Sequence, residues 1–111
     1  MTIREVLTRV DNLLTNAVEE EQKLQWLKNI EDKIYKEIVL THENPVEMTD
    51  FDDKESELIA VSPYDNLYIS YLVAKIFEYT FETVRYNNAI IVFNQEYQEY
   101  ANYYNRENMP L

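Results

Sequence analysis

The chain has 111 residues, 46% hydrophobic and 28% charged, which fits one compact domain with a single core. It has no Gly and no Cys, which excludes dinucleotide fingerprints, phosphate-cradling loops, disulfides, thiolate metal sites and Cys nucleophiles, and disfavours tight hairpins. Twenty-one acidic residues against ten basic give a net charge of −11, so charge-driven binding to DNA or to anionic lipid is disfavoured.

The N-terminal MTIREVLTRVDNLLTN carries charges every few residues and lacks the apolar run of a signal peptide. No stretch approaches the ~18 apolar residues of a membrane span. The expectation is synthesis in the cytoplasm and no membrane partner.

The first helix is expected to start at Thr2, because Thr2 and Glu5 form a T-x-x-E capping box. Ile3, Val6, Leu7, Val10, Leu13 and Leu14 then make one apolar face. Asn16 with Glu19 offers a second cap, which predicts a helix from about Ala17 to Leu40. Its stripe is Leu24, Leu27, Ile30, Ile34 and Ile38, with Trp26 and Tyr35 flanking. Glu19 with Lys23 and Asp32 with Lys36 are spaced to pair on its outer face.

Residues 41–62 break the periodicity. Between Thr41 and Glu57 there are seven acids and one Lys, a local charge of −6. This predicts a long acidic loop, an excursion from a helical body, with Glu57 to Val61 as a short extended piece. Ser62-Pro63-Tyr64-Asp65 reads as a helix start, with Ser62 as N-cap and Pro63 in the first turn. The third helix carries Leu67, Ile69, Tyr71, Leu72, Val73, Ile76 and Phe77 around much of its circumference, which predicts a central, buried element.

The fourth helix is expected from about Phe81 or Glu82 to Tyr104 or Asn105. Tyr86, Ile90, Phe93, Tyr97, Tyr100 and Tyr104 recur at heptad-like spacing, with the small Ala89 and Ala101 beside them. The tail, residues 105–111, reads as loose without a partner. The fold class is therefore all-α, a small bundle of about four helices. Nine of the ten Tyr follow Ser62, and Tyr suits both a core and an assembly interface.

The chemistry-bearing residues are few. His42 is the only His and reads as an exposed capping or loop residue at a helix end. Asp50, Asp52, Asp53, Glu55 and Glu57 lack the Gly and the terminal Glu spacing of an EF-hand, so they read as a solvated, mutually repelling loop. No nucleophile elbow, metal-ligand spacing or basic stripe is present, so no catalytic residue, metal or cofactor is expected.

The segments PYDNLYISYL, RYNNA, FNQEY and YNRENMP, together with TIREVLTRVDNL and LQWLKNIEDKIYKEIVLTHE, resemble a family of small proteins of tailed phages and prophages of Gram-positive bacteria. Members resemble head–tail connectors, or adaptors, in which a small helical subunit forms a ring beneath the portal. The likeness covers most of the chain and is weakest in the acidic segment. The family's terminal pattern is closer to R-x-H-M-P, and this chain has Asn108 at the His position.

The resemblance implies a structural, non-enzymatic subunit of the virion neck, made in the host cytoplasm. Its partners would be further copies in a ring, the portal protein, and a stopper or tail-completion protein. Genomic DNA would pass through without specific binding. The resemblance also makes Tyr100, Tyr103, Tyr104, Arg106, Met109 and Leu111 candidates for portal docking. The acidic segment, at Asp50, Asp52, Asp53, Glu55 and Glu57, becomes a candidate lateral contact between ring neighbours. The competing reading is a small acidic regulatory or inhibitory protein that occupies a basic site; a carboxylate-site enzyme stands third.

Overall fold

A computed structural model describes residues 1–111. Four helices form and no strand: α1 at Ile3–Leu13, α2 at Glu20–Glu37, α3 at Asn66–Tyr79 and α4 at Thr83–Glu107. A short 3-10 turn at Val39–Thr41 extends the end of α2. α3 is the hub: it packs against α1, α2 and α4, whereas α4 packs chiefly against α3 and touches α2 through Tyr97, whose hydroxyl donates to Glu37 at 3.0 Å and whose ring lies under Lys33. With 25 residues, α4 is ~37 Å long and sets the 41 Å long axis of the molecule.

α1 starts as its capping box requires. The Thr2 hydroxyl accepts from the Glu5 N–H at 3.1 Å, and the Glu5 carboxylate accepts from the Thr2 N–H at 3.2 Å. Those bonds hold the Glu5 carboxyl below its usual range. Ile3, Val6, Leu7 and Val10 are buried, but Leu13, the last residue of the helix, is 68% exposed.

α2 begins three residues later than Asn16 suggests. Asn16 does not cap it; its side chain instead ties the turn together. Asn16 Oδ1 accepts from the Val18 N–H and from Lys23 Nζ, while Nδ2 donates to Asp11 and to the Leu14 carbonyl. Lys23 is buried and pairs with Asp11 at 2.6 Å rather than with Glu19, and Asp32 makes no ion pair with Lys36. The buried face of α2 therefore includes Lys23, Trp26 and Glu31 beside Leu27, Ile30 and Ile34, with Leu24 only half-buried.

α3 begins at Asn66, not at Ser62. The Ser62–Pro63 peptide is cis, and a turn closed by Tyr64 N–H to the Val61 carbonyl at 2.8 Å precedes the helix. Of the apolar residues expected around the helix, Leu67, Ile69, Leu72 and Ile76 are buried and Tyr71, Val73 and Phe77 only half-buried, while Tyr68 and Ala74 join the buried set. α3 ends in a Schellman motif. The Glu82 N–H donates to the Phe77 carbonyl at 2.9 Å and the Phe81 N–H to the Glu78 carbonyl at 3.2 Å. The left-handed position of that motif usually holds Gly; here it is Phe81, with φ of 59°.

Along α4, Phe93, Tyr100 and Tyr104 are buried, while Tyr86, Ile90 and Tyr97 are half-buried. The tail is not loose. The Glu43 N–H donates to the Met109 carbonyl at 2.8 Å, and the Leu111 N–H donates to the Thr41 carbonyl at 3.0 Å, so the last residues run antiparallel to residues 41–43. No helix is long and apolar enough to cross a membrane.

Candidate functional site

Residues 42–65 join α2 to α3 without a helix, and their backbone is fastened at both of its faces. The first two N–H groups of α1 have no intrahelical acceptor. Ile3 N–H donates to the Ser56 carbonyl at 3.1 Å and Arg4 N–H to the Lys54 carbonyl at 2.9 Å. Leu58 N–H returns a bond to the Met1 carbonyl at 3.0 Å, and Thr2 and Glu57 form an isolated antiparallel bridge. This single bridge stands where an extended piece over Glu57 to Val61 is expected. Side chains reinforce it: Arg4 pairs with Glu55, Lys54 with Glu20 at 2.9 Å, and the amino terminus with Glu57 and Asp65. Lys54 holds the Glu20 carboxyl below its usual range.

On its inner face the segment is held by a buried polar cluster. Glu31, fully buried on α2, accepts from the Tyr68 hydroxyl and the Thr49 hydroxyl, each at 2.6 Å, and from the Ile59 N–H at 2.9 Å. The Tyr68 hydroxyl accepts in turn from the Ala60 N–H at 2.8 Å. Every buried side-chain nitrogen and oxygen in the molecule finds a partner. Burial raises the Glu31 carboxyl above its usual range, although the three donated bonds pull the other way. Burial, with Glu31 beside it, raises the Tyr68 hydroxyl well above the tyrosine range.

The five candidate acids stand differently from this cluster. Asp50, Asp52, Asp53, Glu55 and Glu57 are all exposed. Asp50 and Asp53 accept from the N–H groups of Asp52 and Glu55, at 2.9 and 3.0 Å, and so shape their own turns. Glu55 and Glu57 are the ion-pair partners of Arg4 and the amino terminus, and Asp52 makes no side-chain bond. The segment is thus a fixed backbone that presents carboxylates outward, rather than a freely repelling loop. Nowhere do three His, Asp or Glu side chains converge to hold a metal ion.

His42 is buried rather than exposed, at the meeting of three segments. Its Nδ1 lies 2.7 Å from the Ile38 carbonyl and its Nε2 2.7 Å from Asn105 Oδ1, and the ring sits edge-on to Tyr104 at 4.9 Å. It joins the end of α2 to the end of α4, and its backbone forms the isolated bridge to Pro110 of the tail. Sequence spacing does not reveal this, because His42 and Asn105 lie 63 residues apart.

The six candidate docking residues fall into three groups. Tyr100 and Tyr104 lie in the core and offer no surface; burial raises both of their hydroxyls. Tyr103 is half-buried, stacked on Tyr64 at 4.5 Å between centroids. Arg106, Met109 and Leu111 are exposed, the last two at 68% and 84%. Their backbone is pinned to residues 41–43, so the two apolar side chains are presented to solvent from a fastened segment. Compared with known proteins, the chain gives no significant match to any family model, curated protein or solved structure.

Proposed function

We propose that this protein is a head–tail connector subunit of a tailed phage. It forms a ring between the portal and a stopper or tail-completion protein, in the neck of the virion, after synthesis in the host cytoplasm. It is structural rather than enzymatic, and the genome passes its acidic surface without sticking, because exposed carboxylates repel phosphate. The likeness of PYDNLYISYL, RYNNA, FNQEY and YNRENMP to that family supports the reading, as does the all-helical fold.

The observation that carries the docking end is the C-terminal segment bonded to residues 41–43. Met109 and Leu111 are exposed apolar residues on an ordered backbone, beside exposed Arg106. A backbone held by hydrogen bonds has little conformational entropy left to lose on binding, so its apolar side chains are presented at low cost. The acidic segment, on the lateral side of the subunit in this reading, contributes Asp50, Asp52, Asp53, Glu55 and Glu57 to the contact with a ring neighbour.

The test is direct. The chain is expected among the proteins of purified virions, bound to portal rings. Changing Met109 and Leu111 together to Ala is expected to weaken portal binding at least about tenfold, which ~1.4 kcal/mol of lost apolar burial suffices to produce. Helicity by circular dichroism stays unchanged. Unaltered affinity refutes docking by the tail; absence from virions together with no portal binding refutes the connector reading.

One observation favours a second reading, an acidic protein that occupies a basic site on a host enzyme. The five exposed carboxylates sit on a backbone fixed by hydrogen bonds, which suits a rigid anionic surface. That reading predicts partner binding that weakens steeply with salt and absence from virions.

A further inference from the structure

α4 carries one repeat on two opposite faces. The inward stripe, from Tyr86 to Tyr104, is spaced 4-3-4-3-4. A second stripe with the same spacing lies two residues earlier: Val84, Asn88, Ile91, Gln95, Gln98 and Asn102. Two residues turn a helix by about 200°, so this stripe faces away from α3. All six of its residues are exposed. Val84 and Ile91 are 75% and 55% exposed, and Val92 beside them is 48% exposed. A seven-residue repeat is the pattern of one helix lying along another, and no helix of this chain covers the outer stripe.

The charges on this face are two, and of opposite sign. Among the exposed residues from Val84 to Asn102 only Arg85 and Glu99 are charged. They lie two heptads apart, so they share one flank of the stripe, one near each end. Arg85 meets Glu82 of its own turn at 3.4 Å, and Glu99 has no ion pair within the chain. The amides of the stripe are equally free of the core: Gln98 bonds only Asn102, at 3.0 Å.

We propose that two copies of this chain pair antiparallel along the outer stripe of α4, about a two-fold axis near Val92. The charges select that occupant. Reversing one helix sets Arg85 of each copy across from Glu99 of the other, so a single alignment makes two ion pairs. The same alignment sets Ile91 across from Gln95, Asn88 from Gln98 and Val84 from Asn102. An amide both donates and accepts, so Asn88 and Gln98 satisfy each other. A parallel pairing would instead set like charges side by side. No carboxylate opposes another in the antiparallel alignment. Glu96 accepts from Asn66 and Ser70 and stands across from residues 88–90, which are uncharged. Glu82 stands across from residues 102–104, also uncharged, and Glu78 is already paired with Lys75 at 2.7 Å. The contact closes after two copies, so it is separate from the lateral contact of a ring, which is heterologous. It uses none of the residues assigned to the portal or to a ring neighbour, and it does not rest on the connector reading.

Sedimentation equilibrium of the full chain, up to about 1 mM, registers even millimolar contacts. A monomer–dimer equilibrium is expected, with no larger species. Arg85→Glu alone, or Glu99→Arg alone, sets like charges opposite each other at both ends of the stripe. Each is expected to weaken the dimer at least about tenfold. Arg85→Glu combined with Glu99→Arg restores the opposite charges and with them the original affinity. An equal mixture of the two single variants does the same, because each then pairs with the other. Both positions are exposed, so far-UV circular dichroism is expected to stay unchanged in every variant. A chain that remains monomeric at the highest concentration overturns the contact. A dimer indifferent to the single reversals, or restored by neither the double variant nor the mixture, overturns the antiparallel alignment. Species larger than the dimer overturn the two-fold closure.

Discussion

Replacing Tyr68 with Phe removes one oxygen from the centre of the molecule and leaves the ring in place. Tyr68 is fully buried, and its hydroxyl both donates to Glu31 at 2.6 Å and accepts from the Ala60 N–H at 2.8 Å. Without it, the Ala60 N–H is buried with no acceptor, which costs about 1–3 kcal/mol. Glu31 loses one of its three donors, and a bond to a charged group contributes about 1.5–3 kcal/mol. The two effects share one network and do not simply add, so the expected loss is about 3–4 kcal/mol. That is a large part of the ~5–15 kcal/mol of a typical domain. It corresponds to a fall in Tm of at least about 12 °C. Urea titration followed by far-UV circular dichroism measures the loss, and hydrogen exchange at Ala60 reports the local opening. A loss below ~1 kcal/mol with Ala60 still protected would refute the idea that this cluster fastens residues 49–60 to α2 and α3.

Glu31 also makes stability depend on pH. Burial raises its folded value, so the folded chain holds the proton more readily than the unfolded chain. Its contribution is therefore full below the ordinary carboxylate range and is lost as pH rises through the raised folded value. Glu31→Gln is expected to remove that component; denaturant titrations across the weakly acidic range would show the difference, and parallel pH profiles would contradict it. Phe81→Gly relieves a left-handed strain of about 1–2 kcal/mol but frees the unfolded chain by about 0.4–1 kcal/mol, so a net gain near 0.5–1 kcal/mol is expected in thermal unfolding. A net loss would mean that Phe81 packs usefully within its own chain. His42→Ala removes the side chain that ties the end of α2 to the end of α4 beside the tail, and the Leu111 amide is expected to lose its exchange protection while α3 keeps its own. Retained protection at Leu111 would show that the backbone bonds to Thr41 hold the tail unaided.

What the sequence could determine is what short range governs. The capping box of α1 is legible because Thr2 and Glu5 lie within one turn of each other. Most of the buried faces of α1 and α3 follows from apolar spacing, Leu13 at the end of α1 being the exposed exception and Tyr71, Val73 and Phe77 of α3 only half-buried. Absence of Gly and Cys excludes whole classes of chemistry before any fold is known. The candidate site was legible only in part: the exposure of the acids follows from composition, whereas Met109 and Leu111 stand out through the family resemblance alone, and the burial of Tyr100 and Tyr104 follows from neither.

The tertiary structure decided the rest. Asn16 and Ser62 both look like N-caps in sequence, yet Asn16 serves a turn and Ser62 precedes a cis Pro, because packing moved each helix start three or four residues on. The acidic segment looks like a repelling loop because its stabilising partners, α1's free N–H groups and Glu31, come from elsewhere in the chain. Glu31 carries no mark of burial in its neighbours along the chain. It is inside because Thr49, Ile59 and Tyr68, lying 18 to 37 residues away, bring three donors to one carboxylate. The physical reason is the same in each case. Capping and amphipathic periodicity are local and leave a pattern in neighbouring residues, whereas burying a polar group requires partners that only the folded chain brings together.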